Sequence, residues 1–230
     1  NRRDQYGISA SWLWQADSLT QLQLTGRADY FSSVLTTTEA KQHVGIFSSN
    51  FSSRNDLLKN VSAQITRKLG RRIKVTAGAG YAERMPTASE LFGFYLFNAS
   101  DGYDYIGNPY LKPEQLLQAD LAVLYSWKRS RVQLSGYYSG VKNFIAGGIN
   151  HSMSSMTIGA KGVKTYYNIN AATVAGAEAS GFFKPVNAID IVTTVRYTLA
   201  RDKQNDPLPF VAPLKNITSV RYQPNRFSAQ

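Results

Sequence analysis

The chain has no cysteine in 230 residues, which excludes disulfide frameworks, thiolate nucleophiles and thiolate metal centres together. Its only two histidines, His43 and His151, lie in separate segments without regular alternation. No metalloprotease spacing, nucleophile elbow or glycine-rich phosphate loop occurs, so the sequence predicts neither an enzyme nor a cofactor. No window approaches the ~18 consecutive apolar residues of a membrane-spanning helix. Runs of like charge are also missing. The formal charge of +11 is spread over pairs such as Arg71-Arg72 and Lys128-Arg129, which do not form the basic stripe of a nucleic-acid binder. There is no helical period and no domain boundary, and the chain opens at Asn1 without methionine or leader. These features suggest one unit, 1–230, cut from something longer.

What is present is alternation. Tyr6, Ile8, Ala10, Trp12 and Trp14 are apolar, while Gly7, Ser9, Ser11 and Gln15 fill the other phase. This period of two marks a strand with one apolar face. Comparable runs lie near residues 20–30, 60–69, 73–84, 117–127, 131–138, 166–183 and 189–199; a weaker one, with Asn216 and Ile217 out of phase, lies at 214–222, and Arg226 opens a tenth. Short turns at Asp17-Ser18, Gly70 to Arg72, Lys128 to Ser130, Asn187-Ala188 and Pro224-Asn225 separate some runs. Long segments separate the others: 33–55 (with strand character near Val44 to Phe47), 86–113, 146–163 and 204–213. Outer-membrane barrels show this rhythm, with short periplasmic turns and long external loops. The mean hydropathy of −0.28 agrees, because a polar lumen offsets a lipid-facing surface. The expected fold is therefore all-β, an antiparallel transmembrane β-barrel. Tyr and Trp near the run ends suit interfacial girdles. The lumen phase is expected to hold Arg27, Lys68, Lys74, Arg84, Arg131 and Arg196 with Asp29, Glu83, Asp120, Glu178 and Asp190, mostly as cross-strand pairs.

The longest interruption is the most informative. Pro86 stops a strand because proline has no N–H for the ladder. About 25 residues of loop follow, a length that is usually functional. Arg84-Met85-Pro86, Ser89 to Gly93 (SELFG) and Gly107 to Glu114 (GNPYLKPE) resemble the signature of TonB-dependent outer-membrane receptors. Gly26 to Tyr30 (GRADY), Asn168 to Glu178 (NINAATVAGAE), Tyr197-Thr198 and Pro207-Leu208-Pro209 with Pro213 are similar to further family segments, in the same order. The resemblance implies about ten strands of a 22-stranded plugged barrel, since this many strands cannot enclose a plugged lumen. It places the chain in the middle-to-late barrel wall, with the plug domain outside it. It also implies a multi-pass protein of a Gram-negative outer membrane, in contact with lipid and lipopolysaccharide. Through the plug it would work with the TonB complex and import a scarce metal chelate such as a ferric siderophore. A copper or glycan receptor and a passive porin-like channel are the alternatives.

Candidate ligand contacts follow. Arg84, at the external end of the lumen, suits an anionic ligand. Phe92, Phe94, Tyr95, Phe97, Tyr103 and Tyr105 offer faces for stacking and cation–π contact. His151, Met153 and Met156 pair imidazole with thioether sulfur, a donor set suited to copper(I). The His-x-Met step would put two of these on one face of a strand.

Overall fold

Slipping an alternating strand by one residue exchanges its two faces, so each apolar phase selects one register with its neighbours. The computed structural model describes residues 2–47, 51–208, 211 and 214–223, and such a register holds along its long strands apart from one shift near Ile189. The elements in order are β1 (Arg2–Gln15), β2 (Thr20–Val34), α1 (Thr38–Phe47), β3 (Ser53–Leu69), β4 (Ile73–Arg84), α2 (Ala88–Phe92), β5 (Leu96–Asn98) and β6 (Tyr103–Ile106). They continue as β7 (Glu114–Trp127), β8 (Ser130–Ile149), β9 (Val163–Val186), β10 (Ile189–Asp202) and β11 (Leu214–Tyr222). Nine long strands form an antiparallel meander in chain order from β1 to β11, with β5 and β6 standing off it.

The outward face is apolar from strand to strand. Trp12 opposes Leu24, and Ala77 lies between Ile65 and Leu121. Leu121 opposes Gly136, and Ala177 opposes Tyr197. Ile8 is 76% and Leu117 66% exposed. An apolar surface this broad matches the lipid face of a barrel wall. The inward face is polar: Arg196 lies directly across from Glu178 and pairs with it at 2.7 Å. Arg27 holds Asp29 at 2.5 Å.

Several expectations are corrected. Residues Val44 to Phe47 belong to a helix, not a strand extension. Glu39 in its first turn favours the helix dipole, Lys41 N–H bonds the Thr37 carbonyl, and Glu-Ala-Lys-Gln are good helix formers. Glu83 takes the outward phase because alternation runs unbroken to Arg84. It accepts from the Tyr81 hydroxyl, from Lys59 N–H at 2.8 Å and from Gln115 Nε2 at 3.3 Å. Above the ring of Tyr81 such a carboxylate meets headgroups, not acyl chains. Strands β3, β8 and β9 are longer than their alternation suggests, so the long segment between β8 and β9 shrinks to residues 150–162. The expected turn at Pro224-Asn225 and the tenth run at Arg226 lie outside the described residues.

Candidate ligand-facing mouth

The stretch between β4 and β7 is a strap folded over the long-loop end of the wall. After Pro86, Thr87 caps α2. Its hydroxyl accepts from Glu90 N–H, and the Glu90 carboxylate accepts from Thr87 N–H at 2.7 Å, a complete capping box. The two ends of the strap are tied by charge. Arg84 Nε donates to Glu114 Oε2 at 2.6 Å, and Arg84 Nη1 pairs with Glu90 at 3.0 Å. The other Glu114 oxygen accepts from Ile145 N–H on β8 at 2.8 Å.

The return path is pinned as closely. Asn168 on β9 accepts from Lys112 N–H at 2.8 Å and donates to the Lys112 carbonyl at 3.1 Å and the Asn143 carbonyl at 2.7 Å. Arg54 on β3 donates to the carbonyls of Leu111 and Pro109. Beneath these bonds Phe31, Leu58, Met85, Leu91, Leu111 and Ile145 form a buried cluster, with Phe92 and Tyr166 packed on it. Gly107 bonds the Gly93 carbonyl through its N–H at 2.7 Å. A Cβ at Gly107 would lie 2.6 Å from backbone atoms of Leu91, Phe92 and Gly93. Gly107→Ala is therefore expected to prise the return half of the strap off α2 while leaving the transmembrane strands intact. Faster proteolysis within 88–113, with unchanged heat-modifiable migration of the barrel, checks this.

Beyond the strap, β6 pairs in parallel with β9 through Asp104↔Val163, Tyr105↔Lys164 and Ile106↔Thr165. With β5 and the upper half of β8 it forms a small sheet above the wall. Asp104 is fully buried and accepts from Met156 and Thr157 N–H, both at 2.9 Å. That bond sets the shape of the 150–162 loop. Asp101 pairs with Lys164 at 2.7 Å and accepts from the Tyr105 hydroxyl at 2.7 Å. Lys164 lies 4.3 Å over the Tyr103 ring. Burial opposes ionisation of Asp101, Asp104 and Glu90. Their hydrogen bonds and, for Asp101 and Glu90, the partner cations outweigh it and hold all three below the usual carboxylate range.

Carboxylates with depressed pKa stabilise the fold above the unfolded value of about 4, and lose that contribution as pH falls through the folded values. Protection of amides in 96–106 and 150–162 should thus be constant from pH 7 to about pH 5 and fall below about pH 4. Hydrogen exchange across that range checks it; a flat profile would refute the assigned role of these carboxylates.

The predicted contacts separate into two groups. Arg84 is engaged by two carboxylates, Tyr105 is buried against Gly147, and Phe92 packs on the buried cluster. All three hold the strap together. Phe97 is exposed, and Phe94, Tyr95 and Tyr103 are half-buried. Phe97 pairs with Asp104 and Tyr103 with Asn98, so these two rings lie on opposite faces of the β5–β6 hairpin. Phe94 stands edge-on to Tyr95 at 5.0 Å and stacks on His43 of α1 at 4.2 Å. Tyr95 adopts φ 49°, a left-handed conformation uncommon for a bulky residue, and this turns its ring at the start of β5. Tyr110 stands edge to face on Phe51 at 6.1 Å, and Phe51 packs on Phe92 at 5.6 Å. Alternation carried no sign that His43 or Phe51 would make these ring contacts, since neither lies in a strand run.

His151, Met153 and Met156 share the 150–162 loop, but not a strand face. Asn150 Oδ1 accepts from Ser152 N–H at 3.0 Å, an Asx turn that bends the chain at His151. The one-face argument for His-x-Met therefore fails, although Met156 is 66% exposed. Among the described residues no group of three or more His, Asp or Glu is placed to hold a metal.

A broad antiparallel wall, apolar outside and polar inside, with a proline-bounded strap pinned over one end, defines a barrel segment of receptor type. The family model described as TonB dependent receptor-like, beta-barrel, matches residues 1–230, and the chain belongs to that family. Among solved structures it is similar to the copper transporter OprC, at 21% identity and TM-score 0.73, over 95% of this chain and 32% of that one. It is also similar to the siderophore receptor PirA of Pseudomonas aeruginosa, at 14% identity and TM-score 0.62, over 96% and 46%. The alcaligin outer-membrane receptor FauA of Bordetella pertussis matches at 11% identity and TM-score 0.62, over 96% and 34%. The chain thus spans between about a third and a half of these structures. No curated protein matches it in sequence.

Proposed function

We propose that the chain is part of the barrel wall of an outer-membrane TonB-dependent receptor that imports a scarce metal chelate such as a ferric siderophore. The lipid face contacts outer-membrane lipid and lipopolysaccharide, and energy reaches the barrel from the TonB complex through a plug outside this chain. The observation that carries the ligand class is the set of solvent-reaching rings, Phe94, Tyr95, Phe97 and Tyr103, spread along a strap with its own buried core. Rigid rings suit the flat, partly aromatic surface of a chelate, and a supported strap keeps them placed. In this proposal Arg84 positions the strap, and the ligand meets the rings.

Uptake of labelled ferric siderophores by a strain lacking the full-length receptor, under iron limitation, tests the reading. Equal uptake in deletion and parent for every chelate would end it. Phe97→Ala and Tyr103→Ala together are expected to raise the half-saturating chelate concentration about tenfold, at ~1 kcal/mol or less per lost stacking contact. A copper receptor is the second reading, favoured by the concentration of His151, Met153 and Met156 in one external loop. Copper-limited growth of the same strains separates it from iron import.

A further inference from the structure

Positive charge is concentrated at one end of the wall. Residues 15–20, 66–75, 124–133, 183–191 and 220–223, which bound the short turns and the matching end of β11, carry ten Lys or Arg and two Asp or Glu. The remainder of the chain carries sixteen and thirteen, so the short-turn rim holds most of the net charge of +11. The rim's two anions are occupied. Asp190 pairs with Lys184 at 2.9 Å, and Asp17 accepts from Leu19 and Thr20 N–H at 2.6 and 2.8 Å. Arg71, Arg72 and Lys128 are exposed and make no ion pair among the described residues. The rim has no internal counter-charge for them.

The same end carries all three tryptophans of the chain. Trp12 and Trp14 are outward, 55% and 48% exposed, and stack at 6.0 Å. Trp127 stacks on Tyr125 at 5.4 Å. Such rings mark the level where acyl chains give way to headgroups. Lys128 follows Trp127 directly, and Arg71 lies two residues from Leu69 on the outward phase. The turns are too short to carry these charges far beyond the interface, and they lie within a Debye length of it, ~10 Å at 0.1 M salt.

We propose that the short-turn rim binds the anionic headgroups of phospholipids, phosphatidylglycerol for example, in the leaflet that meets the turns. Identifying that leaflet as the periplasmic one rests on the outer-membrane reading above. Lysine and arginine attract anionic surfaces additively at short range, and the tryptophan belt fixes their depth. An acidic polypeptide would need no such belt beside the charges.

The test uses the full-length receptor in zwitterionic detergent, titrated with phosphatidylglycerol or phosphatidylcholine, with bound lipid counted by native mass spectrometry. Wild type is expected to retain phosphatidylglycerol about tenfold over phosphatidylcholine at low salt, with the preference lost near 1 M salt. Arg71→Ser, Arg72→Ser and Lys128→Ser combined should remove most of it, whereas Lys59→Ser with Lys142→Ser, at the opposite end, should not. Heat-modifiable migration confirms that each variant is folded. An unchanged preference in the triple variant, or none in a folded wild type, overturns the proposal. Binding of poly-glutamate without preference for phosphatidylglycerol assigns the rim to an acidic partner and overturns it as well. A receptor that stays in solution without detergent instead overturns the membrane reading beneath it.

Discussion

Leu121→Arg lowers the stability of the folded barrel by about 2–4 kcal/mol, while arginine at the adjacent Ala122 costs far less. Leu121 lies mid-strand in β7, 53% exposed, and opposes Ala77 on one side and Gly136 on the other. The protein leaves its outward side open, so acyl chains must cover it. A guanidinium there leaves water for hydrocarbon, and snorkelling from the midplane is too long a reach to recover full hydration. Ala122 opposes Thr76 and Ser135 on the polar inner face, where the same charge keeps water. Urea unfolding of the full-length receptor in lipid vesicles measures both. Equal destabilisation by the two substitutions would sink the assignment of faces.

That contrast turns on parity alone, which is why the wall was legible from sequence. Each long strand from β1 to β10 has one apolar phase over its membrane part, and the turn lengths say which end is which. Parity also located the error at Glu83, whose number matches Tyr81 and whose polar chemistry suggested the lumen. Three features were hidden. The helix α1 is ten residues long, so Ala40, Val44 and Phe47 show the helical spacing over only two turns. The upper parts of β8 and β9 lose alternation because they rise above the membrane, where Ile145 is buried but Phe144 is not left to lipid. The parallel pairing of β6 with β9 joins segments about 60 residues apart through backbone bonds, which leave no mark on residue choice. In the strap, residue identities were recognisable while their purpose was not. Arg84, Glu90, Glu114 and Asn168 read as a family pattern or a ligand site, yet the structure shows them bonding one another and the backbone.

The sharpest separation of those two roles is Glu114→Ala beside Arg84→Ala. Glu114 is 13% exposed, and its loss strips acceptors from Arg84 Nε and Ile145 N–H together. A part-buried donor left without a partner costs about 1–3 kcal/mol. The Arg84 side adds less, since its guanidinium is 43% exposed and solvent screens the pair. Glu114→Ala is thus expected to release both ends of the strap, speed proteolysis within 85–113 and weaken chelate uptake about tenfold or more, although Glu114 bonds Arg84 and Ile145 and would act only through the strap's placement. Arg84→Ala should reproduce this in milder form, and the double variant should fall short of the sum, with coupling of ~0.5–3 kcal/mol. Glu114→Gln keeps one acceptor for Ile145 N–H and should lie between wild type and Glu114→Ala. The opposite pattern is equally concrete. If Arg84→Ala abolished uptake with the strap still protected, and Glu114→Ala left uptake intact, Arg84 would be a ligand contact after all. The ion pair would then hold its guanidinium ready for an anion rather than hold the strap closed.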